Sequence, residues 1–152
     1  MEKNKKIKIL VTGSSGFLGS TLIRLLNKKK YFISGIDSKI KKSNFLDKFY
    51  KVDLTNLKKL QSVFNKLNNI DIVIHTAAVQ PYGKDNSFNK FNDSNFISAI
   101  NLVECCNKNN IKKIINTSSF SVYGKPKSLP IKENHELNPI NFYGLSKKNA
   151  EG

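Results

Sequence analysis

The feature that most limits what this chain can fold into is an apolar, β-branched run, Ile7-Lys8-Ile9-Leu10-Val11, that breaks at once into evenly spaced glycines, Gly13, Gly16 and Gly19. The run reads as a buried strand. The residues after it, 16–30, carry Phe17, Leu18, Leu22, Leu25 and Leu26 at helical spacing. Each glycine has a use at such a strand-to-helix turn. Gly13 permits the tight turn, Gly16 lets a pyrophosphate come close to the backbone, and Gly19 lets the helix pack on the strand. The helix N-terminus then offers free N–H groups and a partial positive charge to the phosphates. The spacing is Gly-x-x-Gly-x-x-Gly rather than Gly-x-Gly-x-x-Gly, and the Gly-Lys-Ser/Thr ending of a P-loop is missing.

A second strand, 31–36, ends in Asp37, about 20 residues on, where an acid accepts the ribose 2′-hydroxyl of NAD. A carboxylate there repels a 2′-phosphate, so NAD is favoured over NADP, although Lys39 and Lys41 nearby pull the other way. A glycine turn without a ligand and an ordinary strand-ending aspartate are the plainer alternatives.

The remaining pattern alternates. Further strands are expected at 49–53, 70–76 and 111–117. Thr55 is expected to cap a helix carrying Leu57, Leu60, Val63, Phe64 and Leu67. A long helix over 88–109 has Phe96, Ala99, Ile100, Leu102 and Val103 on its apolar side, and residues 140–152 begin another. Residues 38–47 read as a loop or short helix, and 120–138 as loop, with Pro126, Pro130 and Pro139 as breakers. Strands alternating with helices imply an α/β fold, a doubly wound parallel sheet with helices on both faces. Residues 1–152 read as one domain without repeats.

The formal net charge is +15, from 26 Lys and Arg against 11 Asp and Glu. The lysines are scattered over helix faces and loops rather than gathered with aromatics, so neither nucleic acid nor a membrane is implied as a partner. Lys, Asn, Ile and Phe are over-used together and Arg occurs only at Arg24, which reads as compositional bias. Cys105 and Cys106 are adjacent on a helix, a poor arrangement for a disulfide or a metal pair, so a reduced, cytoplasmic setting without a metal is expected. No apolar run approaches the roughly 18 residues that span a bilayer, and 7–11 is too short for a signal core.

Several motifs in order resemble the extended short-chain dehydrogenases/reductases, also called the NAD-dependent epimerase/dehydratase family. They are Thr12-Gly13-x-x-Gly16-Phe17-Leu18-Gly19, Val52-Asp53-Leu54, His75-Thr76-Ala77-Ala78, Asn95, Thr117-Ser118-Ser119-x-x-Val122-Tyr123-Gly124 and Tyr143-Gly144-x-Ser146-Lys147, with Glu133 and Pro139 also in place. The resemblance implies a Rossmann-type NAD-binding domain. It implies that Phe17 and Leu18 offer backbone N–H groups to the pyrophosphate and that Asp53 and Leu54 contact adenine. Ala77 and Ala78 would line the passage to the nicotinamide, with Asn95 also among the cofactor contacts. Ser119 would be the catalytic hydroxyl, Tyr143 the acid/base and Lys147 its partner. His75 and His135 are expected to be structural and loop residues.

The last pair also makes chemical sense by itself. Tyr143 and Lys147 stand four apart, on one face of a helix. A phenol titrates near 10 and is a poor base at neutral pH unless a nearby positive charge favours its anion. The phenolate can then take the proton of a sugar hydroxyl as hydride leaves the adjacent carbon for NAD. In the family's dehydratases the catalytic hydroxyl is followed by Asp-Glu; here Phe120-Ser121 follows Ser119. Epimerase-like redox chemistry on a nucleotide sugar is therefore expected. A reductase, a dehydratase and a non-catalytic NAD-binding module are the alternatives, and a homodimer is possible by resemblance. The chain is expected to be a fragment that stops before the family's C-terminal substrate lobe. It should then lack turnover, fray at its last helix and leave the fifth strand as an open edge.

Overall fold

The computed structural model describes residues 6–26, 28–40 and 43–151. Along the chain these form β1 (Ile7–Thr12), α1 (Phe17–Leu25), β2 (Tyr31–Asp37), β3 (Lys48–Lys51), α2 (Leu57–Phe64), β4 (Ile72–His75), α3 (Phe88–Phe91), a π-helical turn (Asn92–Ile97), α4 (Ser98–Lys108), β5 (Ile114–Asn116), a 3-10 turn (Phe120–Val122) and α5 (Phe142–Asn149). They gather into two compact units, Met1–Ala77 with Asn101–Thr117, and Ala78–Ile100 with Ser118–Gly152.

The first unit holds a parallel sheet in the order β3-β2-β1-β4-β5. The chain steps outward from β1 to β3, then returns to the other side of β1 for β4 and β5. The carboxyl ends of β1 and β4, where Thr12 lies opposite His75, are thus the point at which strand order reverses. Open parallel sheets bind ligands at that point. Successive β1 residues serve opposite faces. Ile9 and Val11 pack with Ile33 of β2 and Ile23 of α1. Leu10 packs with Ile36, Val73, Leu60 and Phe64 of α2, and Leu102, Cys105 and Cys106 of α4. Both faces are therefore covered, as the continuous apolar strands require.

Two helical faces differ from the sequence reading. In α1, Phe17, Leu18 and Leu25 are exposed, and the buried residues are Gly19 and Ile23, with Leu26 packing next in the same row. Spacing of four then three selects one stripe of a helix, and the stripe begins at the glycine. In α4, Ile100 and Val103 are exposed, whereas Leu102, Cys105 and Cys106 are buried. The thiols act there as small apolar groups. Both cysteines are free, and burial first of all pushes their thiols up, to about 11 and about 12.

The cap of α2 is also corrected. Asn56, not Thr55, is the N-cap, its Oδ1 accepting the Lys59 N–H at 3.0 Å. Thr55 instead donates both its N–H and its hydroxyl to Asp53 Oδ1, at 2.9 and 2.8 Å. The aspartate takes up the threonine one position before the helix can use it.

In the second unit, the expected long helix starts as α3, with Ser87 Oγ accepting the Lys90 N–H at 3.4 Å, and passes through the π-helical turn before α4. A π turn re-aims the side chains that follow and recurs at functional sites. Among the described residues no helix is long and apolar enough to cross a membrane, and no cluster of three or more His, Cys, Asp or Glu could hold a metal ion. Replacing Asn56 by Ala should cost about 1 kcal/mol, lowering the melting temperature by about 2–4 °C in a thermal scan.

Candidate active site

The glycine turn of the first unit closes on the Gly13 carbonyl, which accepts the Gly16 N–H at 3.0 Å. Gly13 has φ +67°, and a Cβ there would lie 2.6 Å from the Ala77 Cα. A Cβ on Gly19 would lie 2.3 Å from the Gly13 oxygen and 2.8 Å from Thr76 Oγ1. Gly16 differs: a Cβ there would meet only the Gly13 oxygen, at 3.2 Å. Two of the glycines are demanded by packing, and at the third a Cβ would be tight against one backbone oxygen alone. Gly16 is the N-cap of α1 and gives that helix no side-chain acceptor. Phe17 is 90% exposed and Leu18 50%, so their side chains do not block the first turn from outside by packing back on it. Ser14 Oγ is buried beside the turn without a hydrogen-bond partner among the described residues. This turn fits a pyrophosphate: its donors are backbone amides at a helix N-terminus, and its middle glycine leaves room.

Asp37 ends β2 and ties itself to the turn. Its Oδ2 accepts the Ser15 N–H and its Oδ1 the Lys39 N–H, both at 2.9 Å. Ser15 Oγ also donates to the Lys39 carbonyl at 3.2 Å. Lys41 lies outside the described residues. Asp53 is exposed and holds Thr55, as above, while the Leu54 side chain belongs to the core. The Leu54 and Thr55 carbonyls accept hydrogen bonds from Asn101 Nδ2, at 2.9 and 3.1 Å. Ala77 is half-buried and packs against the core. His75 is buried, with Nδ1 2.7 Å from Thr12 Oγ1 on the neighbouring strand, a structural place.

The second unit gathers the other expected residues. Ser119 heads the 3-10 turn, its Oγ accepting the Ser121 N–H at 3.2 Å. Helix α5 lies against that turn at Gly144, where a Cβ would sit 2.5 Å from the Ser121 carbonyl oxygen. Only glycine allows that approach, and it brings α5, which carries Tyr143 and Lys147, against the turn that Ser119 begins. Tyr143 is 6% exposed, edge-on to Phe91 with ring centres 5.8 Å apart. It lines a hollow of about 440 Å³ together with Pro81, Asn86, Phe91 and the run Ile140-Asn141-Phe142. Lys147 is 3% exposed; burial pulls its ammonium below the usual lysine range, and the Glu151 carboxylate opposes that. Ala78 is half-buried at the start of this unit.

Asn95 is fully buried in the π-helical turn, and its amide is engaged with protein. Oδ1 accepts the Val79 N–H at 2.8 Å, and Nδ2 donates to the Val79 carbonyl at 3.2 Å and to Ser146 Oγ at 3.0 Å. Ser146 Oγ in turn donates to the Tyr143 carbonyl at 2.8 Å. Asn95 thus braces the Tyr143 helix to the segment after Ala78. His135 is a loop stitch, with Nε2 accepting the Lys127 N–H at 3.1 Å and its ring edge-on to Tyr123. Sequence reasoning gave no role to Ser146 or Asn101. The available signal was a small polar residue on the buried row of a helix, where an unpaired polar group is costly.

The five-stranded parallel sheet and its glycine turn are of the Rossmann-type class, and comparison with known proteins makes the class specific. The model of the NAD dependent epimerase/dehydratase family matches residues 9–151, and the chain belongs to that family. A UDP-glucose 4-epimerase of Pisum sativum is 35% identical over 92% of this chain and 44% of its own length. A dTDP-D-glucose 4,6-dehydratase of Dictyostelium discoideum is 36% identical over 95% of this chain and 38% of its own. A UDP-glucose 4-epimerase from Bifidobacterium longum, solved with NAD+ and UDP, superposes with a TM-score of 0.81 at 35% identity, over 95% of this chain and 47% of that one. The chain spans less than half the length of these relatives.

Two outcomes follow. Asn95→Ala leaves the buried Val79 N–H and carbonyl unpaired and should cost about 2–4 kcal/mol, read by denaturant unfolding. Lys147→Met should raise the melting temperature at neutral pH. A lysine whose native pKa lies below its ordinary 10.5 subtracts stability while it is protonated in both states, and that loss is recovered as pH rises from the native value to 10.5. The advantage of the Met variant should therefore shrink over that alkaline window.

Proposed function

We propose that this chain supplies the NAD-holding turn and the acid/base residues of a nucleotide-sugar epimerase-like oxidoreductase. In this reading residues 1–152 form a single NAD-binding domain of the Rossmann type. The observation that carries the proposal is the buried Tyr143–Lys147 face of α5, drawn against the Ser119 turn by Gly144.

The Phe17 and Leu18 amides and the bare backbone of Gly16 would hold the pyrophosphate. Asp37, already positioned by two backbone amides, keeps acceptor capacity for a ribose hydroxyl, which favours NAD over NADP. Asp53 and Leu54 would border the adenine, and Ala77, Ala78 and Asn95 the way to the nicotinamide, with Asn95 acting through its hold on Val79. NAD, when bound there, would supply a reversible hydride acceptor. Ser119 fixes the sugar hydroxyl by hydrogen bonding. Tyr143 takes its proton and gives it back, and the Lys147 ammonium favours the phenolate in that exchange. The aromatic and amide walls of the hollow beside Tyr143 suit a neutral sugar ring. The relatives' names support a UDP- or dTDP-sugar substrate. Phe120-Ser121, where elimination chemistry would need acids, favours epimerisation over dehydration. A cytoplasmic setting, with Cys105 and Cys106 as thiols, and a homodimer complete the proposal.

Titration calorimetry with NAD tests the cofactor half of it. Gly16→Ala should unfold within a few °C of the unchanged chain yet lose at least about tenfold in NAD affinity, equivalent to some 1.4 kcal/mol. Gly19→Ala should fail to fold, because its Cβ would fall inside the Gly13 carbonyl contact. An unchanged chain that does not bind NAD, or a folded Gly16→Ala chain that binds it undiminished, would overturn the assignment.

A further inference from the structure

The group that the proposed chemistry leaves unused is Glu151. It follows Lys147 by one turn, just past the end of α5, where its N–H donates to the Lys148 carbonyl at 3.1 Å. Its carboxylate is not left to solvent alone: Oε1 accepts a hydrogen bond from the Ser118 hydroxyl. Ser118 immediately precedes Ser119. A carboxylate just past the end of the helix that carries the proposed ammonium therefore touches the arm that carries the proposed catalytic hydroxyl.

We propose that Glu151 is a positioning residue for the Ser119–Tyr143–Lys147 set, a brace whose carboxylate is anchored by Ser118 and serves as the countercharge of the buried Lys147 ammonium. The inference rests on the function proposed above for what the set does, but not for its geometry.

The surroundings leave this task to Glu151. Lys147 is 3% exposed, and an ammonium moved out of water is strongly disfavoured unless an opposite charge compensates. Within α5, Lys148 points its ammonium to the Leu137 carbonyl at 2.9 Å. On α3, Lys90 donates to the Asp85 carbonyl at 2.6 Å, and on the π-helical turn Asp93 accepts from Asn92 at 3.3 Å. The 3-10 turn, Phe120-Ser121-Val122, carries no charge. Of these groups Glu151 is the one whose charge acts on Lys147, and it acts in the direction of keeping the lysine protonated. Glu151 is itself exposed, so the pair contributes little to stability. Its effect is to hold the ammonium charged where the phenol needs it.

The test reads Lys147 directly. The chain is prepared with 13Cε-labelled lysine, the Lys147 signal is assigned as the one missing from Lys147→Met, and its titration is followed by NMR without cofactor. Glu151→Gln keeps an acceptor for Ser118 and loses the charge. It should move the Lys147 midpoint to lower pH while the melting temperature stays within about 2 °C. Glu151→Asp, which keeps the charge, should leave the midpoint closer to the original than Gln does. Ser118→Ala, which frees the carboxylate, should shift the midpoint the same way as Gln but less. A Lys147 midpoint unmoved by Glu151→Gln overturns the proposal, as does an Asp variant that shifts as far as Gln. Because no cofactor is present, failure to bind NAD would sink the proposed function and leave this result standing. An unmoved midpoint in a chain that binds NAD would sink the brace alone.

Discussion

The first unit depends on one carbonyl oxygen, that of Gly13. It accepts the Gly16 N–H, and it lies where a side chain on Gly19 would have to be. The backbone on which it sits is pressed against Thr76 and Ala77 at the end of β4. Chain reversal, helix start and contact between neighbouring strand ends are thereby compressed into a few ångströms of bare backbone. The helix must begin immediately, with its first N–H groups uncapped by any side chain and aimed outward. A cap that would stabilise the helix in isolation would also occupy those amides. Their availability to an anion is the other side of that missing cap.

The second unit repeats the device with a different pair of backbones. Gly144 lets α5 approach the Ser121 carbonyl, and Gly124, at φ +64°, could carry no side chain because a Cβ would collide with the Asn138 carbonyl. In both units glycines stand where two stretches of backbone must touch. Asn95 adds what glycine cannot, a polar brace holding backbone at Val79 and side chain at Ser146. Its three hydrogen bonds are made in the interior, where each polar partner left alone would carry its desolvation penalty. The network is therefore stiff, and it holds the helix that carries Tyr143 in one place.

The parts of the fold that follow from periodicity were legible. Five strands, their parallel pairing and the two-sided core follow from apolar runs alternating with helical spacing, and the glycine turn and Asp37 follow from chemistry local to the chain. What escaped depends on competition between neighbours. Thr55 and Asn56 are both good caps, and Asp53 decides between them by taking Thr55. Phe17, Leu18 and Leu25 fit an apolar stripe as well as Ile23 does; the stripe is chosen by Gly19, which must face the turn. Cys105 and Cys106 outrank Ile100 and Val103 for the interior because small thiols fit the row that Leu102 begins. The roles of Ser146, Asn101 and Glu151 arise from partners 51, 47 and 33 residues away, and spacing along the chain carries no trace of such pairs.

Family membership by itself does not choose a reaction, since an epimerase and a dehydratase match the same stretch of this chain. The proposed preference for epimerisation rests on the 3-10 turn after Ser119. Removing water across two carbons needs a base for one carbon and an acid for the departing hydroxyl, each within hydrogen-bond reach. Phe120 is 80% exposed and has no proton to give, and the Ser121 N–H and hydroxyl are both engaged with Ser119 Oγ. The turn is thus spent on fixing a single hydroxyl. In the proposed reading, the buried Tyr143 phenol would move one proton to and from one oxygen with the Lys147 ammonium favouring its anion, which is all that reversible oxidation of a carbinol asks of the protein. In that reading the burial of the Lys147 ammonium, a cost to folding, is what would place a positive charge beside the Tyr143 phenol.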